Sequence, residues 1–186
     1  MPFRDTKPCC ICTLQVVTSP DRNLDQNLLS QLREGRWISQ GRNVLITGPT
    51  GAGKSYLANA LGRHACQLGR STLYFNCSRL WPVLSLSRKR ETYSKELRKI
   101  TRTELLILDD FGLAKLDPNE RLSFLEILEE RWGRASTIIV SQRPFATWHE
   151  ALGEPTIADA ICDRLFADAE KIELKGESLR KHRLNH

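Results

Sequence analysis

No apolar run in this chain approaches the roughly 20 residues that a membrane-spanning helix requires. The N-terminus lacks the apolar core and small-residue cleavage site of an export signal, so a cytoplasmic protein with no membrane partner is expected. Internal repeats and low-complexity blocks are missing as well. Cysteine occurs six times but forms no framework. Cys9, Cys10 and Cys12 crowd the first dozen residues, while Cys66, Cys77 and Cys162 are scattered through apparent core elements. A zinc site needs about four ligands at suitable spacing, and CCxC alone has no partner pair. Reduced thiols follow.

What is present suits one compact domain. With 186 residues, 40% hydrophobic and 27% charged, the chain is long enough to bury a substantial core. The net charge of +6 is unevenly spread. Residues 88–102 hold seven Lys/Arg against two Glu, and residues 171–186 hold five against two. The rest of the chain is slightly acidic, so the surplus lies in two segments, as for a surface facing a polyanion.

Periodicity divides the chain into an irregular arm (1–19), a core (20–176) and a basic tail (177–186). Leucines 24, 28, 29 and 32 predict a helix reaching Ile38. Thereafter strands and helices alternate: strands at Val44–Thr47, Thr72–Phe75, the stretch LLILDD (105–110), Thr137–Val140 and Lys171–Leu174, with helices at Lys54–Leu68, 78–100 (interrupted near Pro82), from Asp117 to Trp132, and Thr156–Ala167. Asp117, Pro118 and Glu120 form a capping box with proline at the first helical position. Such alternation predicts an α/β fold with a mostly parallel five-stranded sheet and helices on both faces. Trp37, Trp81, Trp132 and Trp148 are core or interface aromatics by this reading, and His64 and His149 carry no chemistry.

Between the first strand and the next helix stands GPTGAGKS: Gly48, Pro49, Thr50, Gly51, Ala52, Gly53, Lys54 and Ser55. Glycines let the backbone wrap phosphates with its N–H groups turned inward, and the helix start adds the positive end of its dipole. Lys54 reaches the β- and γ-phosphates, and the Ser55 hydroxyl can ligate magnesium. LLILDD ends a buried strand with adjacent carboxylates, a costly pairing unless a dication relieves it. Asp109 suits magnesium and Asp110 suits polarising water, which favours hydrolysis of a nucleoside triphosphate over phosphate transfer. The plainer alternative makes Asp110 a cap for the following loop. No segment suggests the arginine-bearing lid of a small kinase.

The stretches NVLITGPTGAGKSYLANAL, LLILDDFGLAKLD, STIIVSQRPFATWHEALGEPTIADAICDRL and IELKGESLRKHR resemble the IstB-like transposition helper ATPases, AAA+ P-loop proteins close to DnaC-type helicase loaders. The resemblance spans approximately residues 20–184. It implies an ATPase using ATP and Mg2+ that assembles as a homo-oligomer on DNA and assists a transposase. It places Ser141 or Gln142 as γ-phosphate sensor and Arg164 as an arginine finger reaching a neighbouring subunit. Without the resemblance, Arg164 reads as a surface ion pair with Asp163 or Asp168. Arg88, Lys89, Arg90, Lys95, Arg98, Lys99 and Arg102 would face DNA through salt-sensitive phosphate contacts with little sequence readout. Arg180, Lys181 and Arg183 could extend that footprint. The alternatives are a helicase-loading ATPase of the DnaC type and a truncated, non-catalytic nucleotide-binding remnant. The second is raised because only 43 residues precede Val44, where family members carry a longer helical domain. The second acid, Asp rather than the commoner Glu, implies slow turnover.

Overall fold

The computed structural model describes residues 24–176; the arm expected over 1–19, Cys9, Cys10, Cys12 and the tail with Arg180, Lys181 and Arg183 lie outside them. Two short helices come first, α1 (Gln26–Glu34) and α2 (Arg36–Ser39). Then follow β1 (Val44–Thr47), α3 (Lys54–Gln67), β2 (Thr72–Asn76), α4 (Cys77–Lys89), α5 (Tyr93–Thr101), β3 (Leu105–Phe111), α6 (Pro118–Arg131) and β4 (Ser136–Ser141). A 3₁₀ turn (Phe145–Thr147), α7 (Trp148–Leu152), α8 (Pro155–Phe166) and β5 (Glu170–Glu173) complete the order. No helix among the described residues is long and apolar enough to cross a membrane.

The five strands form one sheet in the order β2-β3-β4-β1-β5, and every neighbouring pair is parallel. All C-terminal strand ends therefore share one edge. Side chains alternate between two cores, as strand geometry demands. Val44, Ile46, Leu105, Ile107, Ile138 and Val140 pack with α1, α2 and α3 on one face. Leu45, Leu106, Leu108 and Ile139 pack with α4 through α8 on the other. Helix α3 sits close because Gly62 faces Ile107, where a Cβ would stand 2.5 Å from Ile107 Cδ1.

Two expectations about elements need correction, and a third element carried no expectation. The first helix is broken at Gly35, whose φ of 71° and N–H bond to the Leu32 carbonyl end α1 before α2 begins. Residues 78–100 do divide, but not at Pro82, which is exposed and leaves α4 running to Lys89. The break falls at Arg90–Thr92, where Glu91 adopts a φ of 58°. The third is α7, too short for a periodic signal. Its Trp148 is buried against Phe111 at 5.0 Å and Phe166 at 5.6 Å between ring centroids. Trp37 and Trp81 are also buried, whereas Trp132 is 47% exposed. Cys66, expected in a core element, is exposed near the end of α3.

Arg131 is a buried charged group that the fold must satisfy. It is 1% exposed, and burial pushes its pKa down to about 9. Its Nε donates to Thr137 Oγ1 at 3.1 Å, and Nη1 donates to the carbonyls of Ile100 and Thr103 at 2.9 and 2.6 Å. Nη2 donates to the Ser136 carbonyl. One guanidinium thus ties the ends of α5 and α6 to the start of β4. Arg131→Met should destabilise the fold by about 3–4 kcal/mol in urea or thermal unfolding, because three buried carbonyls lose their donors. Arg131→Lys should recover only part of that, since an ammonium cannot reproduce the planar fork.

Candidate functional site

The loop Gly48–Gly53 leaves β1 at the C-terminal edge of the sheet and turns into α3, whose N-cap is Gly53 at φ 96°. Gly48 is required there: its φ is 143°, and a Cβ would lie 2.3 Å from the Leu174 carbonyl oxygen beyond β5. Lys54 is buried and spans the loop, its Nζ donating to the Pro49 carbonyl at 2.8 Å. Burial lowers its pKa, opposed by the carboxylates of Asp109 and Asp110.

The second half of the site comes from β3. Register between β3 and β4 runs Leu108↔Ile139 and then Phe111↔Ser141, so β3 carries one extra residue across Asp109 and Asp110. A bulge re-aims side chains that would otherwise alternate. Asp110 takes the left-handed conformation at φ 60°, which aspartate tolerates better than most residues. Asp109, 3% exposed, keeps its place beside Asn76 in the ladder with β2. Its Oδ1 accepts from Ser55 Oγ at 3.1 Å and from the Asp110 N–H at 2.8 Å. Its Oδ2 accepts from the Tyr74 hydroxyl at 2.5 Å. Asp110 Oδ2 accepts from Asn76 Nδ2 at 2.6 Å, while Asn76 Oδ1 caps α4 through the Ser78 N–H at 3.0 Å.

Magnesium is the ion these groups suit. The Ser55 hydroxyl and the Asp109 carboxylate are hard oxygen donors already in contact at the mouth of a phosphate loop.

At the end of β4 the two sensor alternatives face different surroundings. Ser141 is fully buried, its Oγ donating to the Phe111 carbonyl at 2.7 Å and accepting from the Arg143 N–H at 3.0 Å. Gln142 is exposed, and its Oε1 accepts from Thr50 Oγ1 of the loop at 2.7 Å. Pro49 and Thr50 are exposed and Ala52 is buried.

Arg164 lies elsewhere. It is near the end of α8, and the Asn43 side chain just before β1 donates to its carbonyl at 3.1 Å. With Arg42, Trp132 and Asp168 it lines a cavity of about 170 Å3 at the N-terminal edge of the sheet. Its guanidinium pairs with Glu129 at 2.8 Å, not with Asp163 or Asp168, and donates to the Ala160 carbonyl at 2.9 Å. A strand length of roughly 13–20 Å separates that edge from the phosphate loop.

The seven basic residues of 88–102 lie at the end of α4, along α5 and in the turns that follow each, and all are exposed. Arg88 nevertheless has protein partners. Its guanidinium stacks over Tyr93 at 3.6 Å from the ring centroid, donates to Ser123 Oγ at 3.0 Å and pairs with the Glu126 carboxylate at 3.6 Å. Arg98 Nε donates to the Ser94 carbonyl at 3.1 Å. Tyr74 and Asn76 are functional contacts that sequence reasoning missed. Their only signal was position, on the strand that neighbours LLILDD.

Comparison with known proteins now decides the family. The family described as IstB-like ATP binding protein matches residues 15–186. The chain belongs to it. An insertion sequence ATP-binding protein of Sinorhizobium fredii, y4pL, is 49% identical over 87% of this chain and 66% of its own length. The insertion sequence IS21 ATP-binding protein of Pseudomonas aeruginosa is 32% identical over 84% of this chain and 59% of its own. The chain thus spans about two thirds or less of these two curated relatives. Among solved structures, DnaI superposes with a TM-score of 0.70 at 23% identity, covering 82% of this chain and 87% of DnaI. The DnaC helicase loader gives 0.65 at 21%, covering 85% and 94%. The replication initiator DnaA bound to AMPPCP and single-stranded DNA gives 0.69 at 16%, covering 93% and 54%. These likenesses establish the fold: an all-parallel AAA+ P-loop core in an ATP-binding family.

Lys54→Met should weaken binding of a fluorescent ATP analogue by at least about tenfold in equilibrium titration, because a phosphate-facing charge is lost. The melting temperature without nucleotide should be unchanged or higher, since a desolvated ammonium has been removed.

Proposed function

We propose that this IstB-like chain hydrolyses ATP as a DNA-dependent assembly factor, acting in the cytoplasm to assist a transposase in DNA transposition. The observation that carries the reading is the division of the site. Ser55, Asp109 and Asp110 meet at the phosphate loop, while Arg164 stands at the opposite edge of the sheet, out of reach of its own nucleotide site. The insertion-sequence naming of the relatives supports the transposition role.

In this reading Lys54 and the loop N–H groups bind the ATP phosphates. Ser55 and Asp109 would hold Mg2+, which would supply neutralisation of charge on the phosphate oxygens. Asp110 orients a water for attack on the γ-phosphorus and takes its proton, as the bond to the bridging oxygen breaks and ADP leaves. Gln142, already bonded to Thr50 of the loop, senses the γ-phosphate; Ser141 instead holds the end of β3. Arg164 from a second copy stabilises the charge of the transition state, so turnover depends on assembly. Before assembly it is retained by Glu129. Lys89, Arg90, Lys95, Arg98, Lys99 and Arg102 contact DNA phosphates, and Arg88 contributes only if it leaves Tyr93 and Glu126. Asn76 joins the two functions, since it caps the helix leading to these residues and also holds Asp110.

ATP hydrolysis measured with and without duplex DNA, over a range of protein concentrations, tests the reading. DNA should stimulate the rate, and the rate per subunit should rise with concentration. Mixing Arg164→Ala with Lys54→Ala subunits should restore turnover that neither shows alone. A rate indifferent to both DNA and concentration would overturn the mechanism.

A further inference from the structure

Asp109 accepts three hydrogen bonds, and they are not equivalent. Ser55 and the Asp110 N–H both address Oδ1, on the side of the phosphate loop. Tyr74 alone among these donors addresses Oδ2, from the neighbouring strand, at 2.5 Å. A carboxylate bonded on one oxygen can still rotate about its Cβ–Cγ bond. One bonded on both oxygens from two strands cannot, without breaking a bond.

We propose that Tyr74 is a positioning residue for magnesium, fixing Asp109 Oδ2 on β2 so that Oδ1 is presented beside Ser55 at the phosphate loop. The inference rests on the reading of Asp109 as the metal-holding carboxylate. The tyrosine suits the role for two reasons. It sits in β2, whose ladder with β3 pairs Tyr74 with Ile107 and Asn76 with Asp109, so its ring is anchored independently of the loop. It is half-buried against the α3 side of the core, which restricts its rotamers. Ser55 must turn its oxygen toward an incoming cation and release Asp109 when it does. The Tyr74 bond is the side-chain contact to Asp109 that metal binding does not need to break. Partners that orient a ligand from behind are commonly worth 10–100-fold in metal affinity, on the order of what is expected here.

Tyr74→Phe removes the hydroxyl and keeps the ring. The test is binding of a fluorescent ATP analogue at increasing Mg2+, with a parallel titration in EDTA and a melting curve without metal. For the wild type, affinity should rise with Mg2+. For Tyr74→Phe the Mg2+ midpoint should move up about tenfold, while affinity in EDTA is unchanged. A merely structural role would lower both affinities together and leave the midpoint in place, and that result overturns the proposal. An identical Mg2+ midpoint for the two proteins also overturns it, leaving the phosphate-site reading intact. If nucleotide binding by the wild type ignores Mg2+, the assignment of Asp109 itself fails, and the proposal with it. Should the variant melt lower, the titrations are run well below its transition, where the same outcomes apply.

Discussion

A carboxylate removed from water must be hydrogen-bonded or matched by a cation, and Asp109 is placed where both conditions can be met. Its oxygens gather donors from three places: the first turn of α3, the middle of β2 and its own strand's next peptide. That requirement depends on the all-parallel sheet, which brings the ends of β1, β2, β3 and β4 to one edge. An antiparallel neighbour would carry one of those donors to the far side. Helix α3, which carries Ser55, sits close on Ile107 because Gly62 has no side chain there.

The bulge at the end of β3 resolves the apparent conflict of two adjacent acids. In a regular strand Asp109 and Asp110 would point to opposite faces and share no site. The extra residue and the left-handed Asp110 let the second carboxylate lie along the edge, where Asn76 holds it. Strain of this kind is tolerated where surrounding contacts over-determine the backbone. Here Phe111, packed against Phe124 and Trp148, anchors the chain immediately after the bulge.

The N-terminal edge of the sheet has its own logic. Asn43 binds the end of α8, Arg131 at the end of α6 binds the end of α5 and the start of β4, and both are buried. This rigid edge presents Arg164 with its partner Glu129 and the exposed Trp132 on one side of the molecule. The nucleotide loop is presented on the other.

Much of this was legible in the residues. The aliphatic runs, the phosphate-loop spacing and the Asp117 capping box are local signals, set by neighbours within a few positions, and they located the strands, α3 and the start of α6. The resemblance to the IstB-like family named the rest of the candidate machinery. Local signals failed where long-range contacts prevailed. Pro82 reads as a breaker but is exposed in α4, where its lost bond faces water. Arg88 reads as a free cation but is stacked on Tyr93. Tyr74, Asn76 and Arg131 act through partners 28 to 35 positions away, across the sheet or between helices. By itself the sequence determined the class of ligand, because phosphate binding is built from one continuous loop. Only the tertiary structure decided which donors reach Asp109 and Asp110 and on which edge Arg164 stands, because those depend on strand order and on a bulge that no local pattern encodes.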